Sequence, residues 1–364
     1  MANETALSTN DIYIAVPIIE VDGRINDMVQ NLLVGMDMTA TDQGMSSLEL
    51  NFINSATVEG RGNDLAFEYG DNNLLSLGKP IKIWAGNHND PQEIFRGTIT
   101  ALEIQMGEYE VPRLMVLAED ALQKARLTRH TRLHEAGRLS SIIRSVASGL
   151  DVQINIAGMD QDVDAQLQLN ESDLAFLRRL LDRFDGDFQM IGDVLQVASR
   201  ADIRTNEITL EQGSQLLSIR VMADLAHQVN KITFSGWDVD AGREINVESD
   251  RAADIGPGRG KSGPEFLDES FGERTEHLSR ASACNENEAQ AMVNADYSQR
   301  IRKFLYAEGV AVGNPGLHVG THLTLRGIGP RFENIYYVTK VRHHYSVSKG
   351  YRTIFHAECA FLGA

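Results

Sequence analysis

The sequence predicts an α+β protein, mainly β, with two similar antiparallel β-barrel (tube-like) domains, a small α+β insertion and a helix-containing insertion. Three observations predict it. Short alternating runs rich in Ile, Val, Leu and Thr, separated by Gly, Asn and Asp clusters, fill both ends of the chain. The apolar spacing switches to a helical period only in the interior. And one hairpin is written twice. Residues 98–119, TITALEIQMGEYEVPRLMVLAE, align without a gap on residues 337–358, YVTKVRHHYSVSKGYRTIFHAE. Thr100 falls on Thr339, Arg113 on Arg352, Ala118 on Ala357 and Glu119 on Glu358. Both copies read as an alternating strand, a polar turn and a second strand ending in Ala-Glu. Upstream, Gly78–Ile83 matches Gly320–Leu325 after a small shift.

Taken in order, residues 1–125 form the first expected β-domain. Its strands are Ile12–Val21, Leu32–Thr41, Leu48–Val58, Pro80–Ala85, Glu93–Ile104 and Leu114–Ala118. So many short strands in so few residues suit a closed antiparallel barrel or a sandwich. Residues 126–200 read as the α+β insertion. Leu139, Ile142, Ile143, Val146 and Ala147 make a helical stripe ended by Gly149, and Val152–Ile156 is a short strand. Asn170 is the expected cap of a second helix, with Asp173 at the box position. Leu174, Leu177, Leu181 and Phe184 share a face of that helix. Phe188–Ile191 and Val194–Val197 then form a hairpin about Gly192-Asp193.

Residues 201–240 and 305–364 make the second expected β-domain. Its strands are Ile208–Leu210, Leu216–Met222, Val229–Val239, Gly309–Val312, Thr321–Gly327, Ile335–Val347 and Tyr351–Phe361. Residues 241–304 interrupt it as a loop-plus-helix insertion. The stretch 241–275 is rich in Gly, Pro and charge, without apolar period, and reads as a long loop. Glu286–Phe304 reads as a helix with Met292, Val293, Tyr297, Ile301 and Phe304 inward.

Composition narrows the function. The 364 residues suffice for two or three domains, each with its own core. Apolar residues at 42% and charged residues at 23% are ordinary for a globular protein. A net charge of −17 repels phosphates and argues against specific nucleic-acid binding. No apolar run is long enough to cross a bilayer, so membrane insertion is not expected. Cys284 and Cys359 form no CxxC and no metal spacing, so no disulfide framework is expected. The start MANETALSTNDIY lacks the basic and apolar regions of a secretory leader, so synthesis in the cytoplasm is expected.

The motifs that suggest chemistry fail on their own requirements. Gly256-Pro-Gly-Arg-Gly-Lys-Ser262 resembles a phosphate loop, but its pattern needs glycine where Ile255 stands. His130 and His134, with Glu135, do not make His-Glu-x-x-His. His318, His322, His343, His344 and His356 lie in β-segments, with His343 and His344 on opposite faces. No Gly-x-Ser-x-Gly elbow occurs. Asp182, Asp185 and Asp187 with Arg178, Arg179 and Arg183 read as a solvated helix end. Lys124, Arg126, Arg129 and Arg132, the one basic stretch, lack the aromatic residues that stack bases. No catalytic, cofactor-binding or metal-ligating residue is therefore assigned, and no cofactor.

The segment Asn170–Arg200 resembles a signature of the phage late control gene D family. Members are the baseplate central hubs of contractile tails and the hub part of VgrG-like spike proteins. The resemblance rests on Asn170, Glu171, Ser172, Asp173, Leu174, Phe176 and Leu177, with the hairpin that follows. Phe234-Ser-Gly-Trp-Asp238 and Tyr336-Tyr-Val-Thr-Lys-Val341 look like two further family segments. The resemblance implies a non-enzymatic homotrimer whose two units per chain make a pseudo-six-fold ring. It implies as partners a hexameric inner tube or tube-initiator protein, a trimeric spike, baseplate wedge proteins and the tape measure. It places the chain in a phage virion tail or an injection-particle baseplate. Ala364 follows the second β-unit directly, so a separate spike protein is expected. Two other classes compete. A tail-tip cell-wall hydrolase or peptidase needs a nucleophile or a metal set around residues such as His130 and His134. A carbohydrate-binding adhesion module would use Trp84 or Trp237.

Overall fold

Alternation puts Ile81, Ile83 and Ala85 on one face of a strand and Lys82 and Trp84 on the other; the first three are buried. The same rule builds most of the molecule. The computed structural model describes residues 13–54, 56–57, 65–66, 74–87, 89–251, 255–279 and 282–363. Ile12 and Val58, at the ends of two expected strands, lie outside them.

The first unit comprises β1 (Tyr13–Val21), α1 (Asp27–Leu32), β2 (Leu33–Thr41), β3 (Gly44–Ile53), β4 (Pro80–Asn87), β5 (Asp90–Gln105) and β6 (Arg113–Glu119). Helix α1 was not expected; Asn26 caps it, its side-chain oxygen accepting from Met28 N and Val29 N. A middle region follows: α2 (Gln123–Leu127), β7 (Arg129–His134), α3 (Leu139–Ala147), β8 (Gln153–Ala157), β9 (Gln166–Ser172), α4 (Asp173–Asp182), β10 (Gly186–Ile191) and β11 (Val194–Ser199). Then come β12 (Asn206–Glu211), β13 (Leu216–Ala223), β14 (Lys231–Asp238), β15 (Arg243–Ser249), α5 (Gly263–Phe271), β16 (Thr275–His277) and α6 (Glu286–Arg302). The chain closes with β17 (Leu305–Val312), β18 (Thr321–Arg326), β19 (Ile335–Ser346) and β20 (Gly350–Cys359).

The copied hairpin is copied in register. β5 and β6 pair Thr98 with Glu119 and Ile99 with Ala118; Thr100 bulges, and Ala101 pairs with Leu117. β19 and β20 pair Tyr337 with Glu358 and Val338 with Ala357; Thr339 bulges, and Lys340 pairs with His356. The preceding strands match as well. Pro80 opposes Thr98 and His322 opposes Tyr337. Gly78 N donates to Ile99 O, and Gly320 N to Val338 O, each at 2.9 Å. Both glycines have positive φ, +82° and +85°, which a side chain disfavours. Strands β2, β3, β6, β5 and β4 lie side by side in that order, and β13, β17, β20, β19 and β18 repeat it.

Mainly-β α+β architecture is as expected, with one correction. Among the described residues the hydrogen-bonded ladder closes no barrel. It is a single 13-stranded sheet whose path ends at β13 and at the two-residue strand Arg24–Ile25. β19 is the physical reason. Its first half pairs with β18; its second half, Lys340–Ser346, pairs with β2, Thr41–Gly35. That pairing joins the two units edge to edge. The flanking strands differ in direction: β1 is antiparallel to β4, whereas β12 is parallel to β18.

Three apolar clusters fill the interior. One under the first unit includes Met36, Leu50, Phe52, Ile83 and Val116, and it also takes in Tyr345 and Tyr351. One under the second includes Leu216, Leu323, Tyr336, Val338 and Phe355. The third joins α3, α4 and the sheet β8–β11–β10 to α6, β14 and β15, through residues such as Leu177, Phe188, Phe234, Ile245 and Met292.

Further corrections fall in the interior. Ser172, not Asn170, caps α4, accepting from Ala175 N at 3.2 Å. Asn170 is the left-handed residue before it, φ +47°. The segment 241–275 contains β15 and α5 and runs into β16, rather than forming a long loop. Lys231–Asp238, read with the second β-unit, lies instead in a three-stranded sheet between β15 and β16.

Candidate functional site

Among the described residues, the histidine-bearing strands gather no reactive set. Extended backbone in β7 places His130 and His134 along a strand, not a helix. His130 Nδ1 lies 3.1 Å from Asp173 Oδ1. His134 Nε2 lies 3.4 Å from Gln168 Oε1, and its ring stacks on Phe176 at 4.9 Å. The late histidines divide by face as alternation requires. His343 is buried with Tyr351 Oη 2.7 Å from its Nδ1, and burial pushes its pKa down to about 3. His318 packs edge-on to it at 6.4 Å. His344 faces the other way, 2.8 Å from Asp37 Oδ1. Among the described residues, no three His, Cys, Asp or Glu side chains converge as metal ligands.

The glycine-rich loop does run into a helix, which the sequence reading did not expect. Its N-terminus is already occupied. Ser262 N donates to Glu265 Oε2 at 2.6 Å in a capping box, so a carboxylate of the chain stands where a phosphate would bind. Trp84 is half-buried, with its backbone paired to Ile18 and Glu93; Trp237 is exposed beside Glu244. An open depression of about 520 Å³ lies between Arg129, Glu171 and Arg179, away from both tryptophans.

The densest polar cluster lies where the middle region meets the sheet. Arg200 is buried, between Glu358 on β20 (Nη2–Oε2 2.8 Å) and Asp42 at the end of β2 (Nη1–Oδ2 3.4 Å). Its guanidinium lies 4.4 Å from the ring centroid of Tyr337, a cation–π contact. The Tyr337 hydroxyl donates to Asp187 Oδ2 at 3.1 Å. Burial pushes Asp187 up to about 7, against the pull of Arg200. Burial raises Asp42 too. Beside them buried Arg302 pairs with Asp185, and Arg200 N donates to Asp185 O. Asp185 and Asp187 therefore do not belong to a solvated helix end. The cluster can lock the middle region to the junction of β2 and β19. It holds no nucleophile beside a free base. The sequence carried no signal for it, because Arg200 reaches both Asp42 and Glu358 across 158 residues.

Two strand edges are the other notable surface. Among the described residues, β5 past Ile99 keeps its ladder with β6 but has no partner strand on the opposite edge, and β13 forms a ladder with β17 alone. The outer half of β5 exposes Leu102, Ile104 and, just beyond, Met106, at 39%, 52% and 59%. An unpaired edge with apolar side chains is a ready template for another strand.

A family model described as the Alg8 N-terminal domain matches residues 46–346. No curated protein matches the sequence. Among solved structures, the 43 kDa tail protein of prophage MuSo2 from Shewanella oneidensis is similar, with TM-score 0.66 and 10% identity over 94% of this chain and 97% of that one. The tail protein from Neisseria meningitidis MC58 gives 0.65 and 10%, over 94% and 96%. The E. coli c3393 protein gives 0.57 and 11%, over 95% and 79%; it is described as a type VI secretion system component similar to the T4 tail proteins gp27 and gp5. At such identities the likeness is one of fold, and it spans nearly the whole chain.

Proposed function

We propose that this chain, which belongs to the Alg8 N-terminal domain family, is a structural baseplate hub of a contractile phage tail or contractile injection system. The observation that carries the reading is the in-register copy of one five-stranded unit within a single chain. A six-fold tube cannot match a three-fold spike directly. Three chains with two like units each present six similar faces to one and three identical faces to the other. The tail-protein fold supports this reading, as does the late control gene D resemblance of Asn170–Arg200. In it the chain is a homotrimer, without catalysis, between a hexameric inner tube and a separate trimeric spike. Wedge proteins surround it, and the tape measure meets it from the tube side.

The test combines the purified chain with the tube and spike proteins of its particle. Imaging is expected to show a ring between them, with the mass of three chains. Particles that assemble an ordinary tube and spike without this chain would overturn the reading. Peptidoglycan turnover that is lost on His130→Ala would replace it with the hydrolase.

A further inference from the structure

We propose that the outer face of the two-stranded sheet β7–β9 docks an acidic amphipathic helix of another protein. An inverted pattern marks the face. In β9, Gln166 and Gln168 point inward and are buried, whereas Leu167 and Leu169 point outward, 49% and 66% exposed. Leu133, directly opposite Leu167 on β7, is 66% exposed as well. The register is pinned from the inside. Gln166 Nε2 donates to Asp164 O, and its Oε1 accepts from Arg183 Nη1 at 2.8 Å. Gln168 Nε2 donates to Glu171 O and to Asp173 Oδ1, at 2.9 and 2.8 Å. A slip of one residue would turn the leucines inward and break those bonds. The chain instead fixes two glutamines inside and leaves three neighbouring leucines in water. That arrangement forgoes apolar burial in the free protein and recovers it under a partner. A bulge adds to the display. Thr131 faces both Leu169 and Asn170, and Asn170 N, at a φ of +47°, donates to Thr131 Oγ1 at 3.1 Å.

Charge and shape select the partner. Leu167 and Leu169 line the depression of about 520 Å³, with Arg129 and Arg179 beside them. Arg179 is paired with Glu171, but Arg129 donates to Asn170 O at 2.9 Å and meets no carboxylate among the described residues. Residues 124–144 hold six Lys and Arg, all exposed, against one acid, Glu135, in a chain whose net charge is −17. A cationic segment on so anionic a chain selects acidic groups. Phosphates of a nucleic acid would answer the arginines and leave the leucines wet. A lipid surface is flat, whereas this face is concave and carries Glu171. A helix answers both features, with apolar residues at i, i+3 and i+4 over the leucines and Asp or Glu along its flanks. An added strand would need main-chain acceptors, but Leu167 O and Asn170 O already accept from Arg179 Nη2 and Arg129 Nη1, each at 2.9 Å.

This face requires neither a trimer nor a hub, so its failure leaves the hub reading untouched. The experiment uses the full chain and a labelled synthetic peptide of about 18 residues, long enough to form a helix. The peptide carries leucine at every third or fourth position and glutamate on both flanks; a second peptide has lysine for each glutamate. Fluorescence anisotropy is expected to show the glutamate peptide bound about tenfold or more tighter than the lysine peptide, with the preference shrinking as salt rises. Leu133→Ser combined with Leu169→Ser is expected to weaken binding about tenfold or more. The urea midpoint should not fall, because both side chains are already in water. Arg129→Glu is expected to remove the preference between the peptides. Equal binding of the two peptides by the unaltered chain overturns the proposal. So does no binding at millimolar peptide, or binding indifferent to the leucine pair. Capture of phosphatidylglycerol vesicles or duplex DNA that the same variants abolish, while the glutamate peptide fails to bind, assigns the face to that partner and overturns the helix.

Discussion

Thr100 and Thr339 bulge out of their ladders at equivalent positions, and each turns its hydroxyl to a carbonyl seventeen residues on: Leu117 O at 3.5 Å and His356 O at 3.4 Å. The coincidence of bulge, register and hydroxyl in two hairpins is hard to reach except by copying. These are long bonds, and their contribution is small. Thr100→Val and Thr339→Val are each expected to cost about 1 kcal/mol or less, and to add in the double variant because the sites share no partners. Urea denaturation checks this; a strong coupling between the two would mean that the hairpins are not independent.

The paired glycines predict an asymmetry. A methyl on Gly78 meets open space, whereas one on Gly320 would lie 2.5 Å from Ile203 Cγ2. Both sit at positive φ. Gly78→Ala is expected to cost about 1–2 kcal/mol from backbone strain alone. Gly320→Ala costs more, because overpacking adds to the strain. Equal losses in thermal stability would contradict the difference in surroundings.

Arg200 offers the largest effect. Replacing it with Met leaves Asp42, Asp187 and Glu358 gathered around a vanished cation. The expected loss is about 3–5 kcal/mol in chemical denaturation. Arg96→Ala, which removes an exposed pair with Glu93 at 2.8 Å, is expected to cost under about 1 kcal/mol.

Acidity should stabilise this region. Burial raises Asp187 to about 7 and Asp120 to about 6, above the unfolded value of about 4. The folded chain binds these protons more tightly than the unfolded chain does. Their contribution is therefore complete below about pH 4 and is lost as pH rises through the folded pKa values. Asp187→Asn is expected to flatten the fall in stability between about pH 4 and 7, as measured by denaturant midpoints across that range. An unchanged slope would mean that Asp187 is ionised throughout.

The thiols should be sluggish. Cys284 is exposed, yet its hydrogen bond to Asp164, with burial, raises it to about 11; burial alone carries Cys359 to about 12. Alkylation near pH 8 is expected to be slow at Cys284 and to reach Cys359 only on unfolding. Asp164→Ala should accelerate the first several-fold and leave the second untouched.

Much of the β architecture was legible because its rules are local. Alternation, turn residues and the repeated hairpin all lie within short windows of sequence, so the strands and the α4 apolar face could be placed. The segment 241–275 failed for a related reason. β15 shows only Ile245 and Val247 inward, too few for a period, and Gly and Pro around it imitate a loop. The signal for α5 was present as Ser262 and Glu265 in capping-box spacing. Asn170 was chosen over Ser172 because both are good caps and the boundary alone decides between them. Nothing local could reveal the Arg200 cluster or the pairing of β2 with β19. Both depend on where distant segments meet, and that is also why the closed barrels expected from strand count gave way to one continuous sheet.

The opposite directions of β1 and β12 bear on ancestry. Gene duplication transmits strand direction along with strand order, so a neighbour that runs one way in one half and the reverse way in the other was not inherited with the unit. The copied unit therefore extends only from β2 to β6 in the first half and from β13 to β20 in the second, and the sixth strand of each half lies outside the copy. The two halves agree over five strands in order and register and part at the sixth, and that boundary is the natural one for comparing them by sequence.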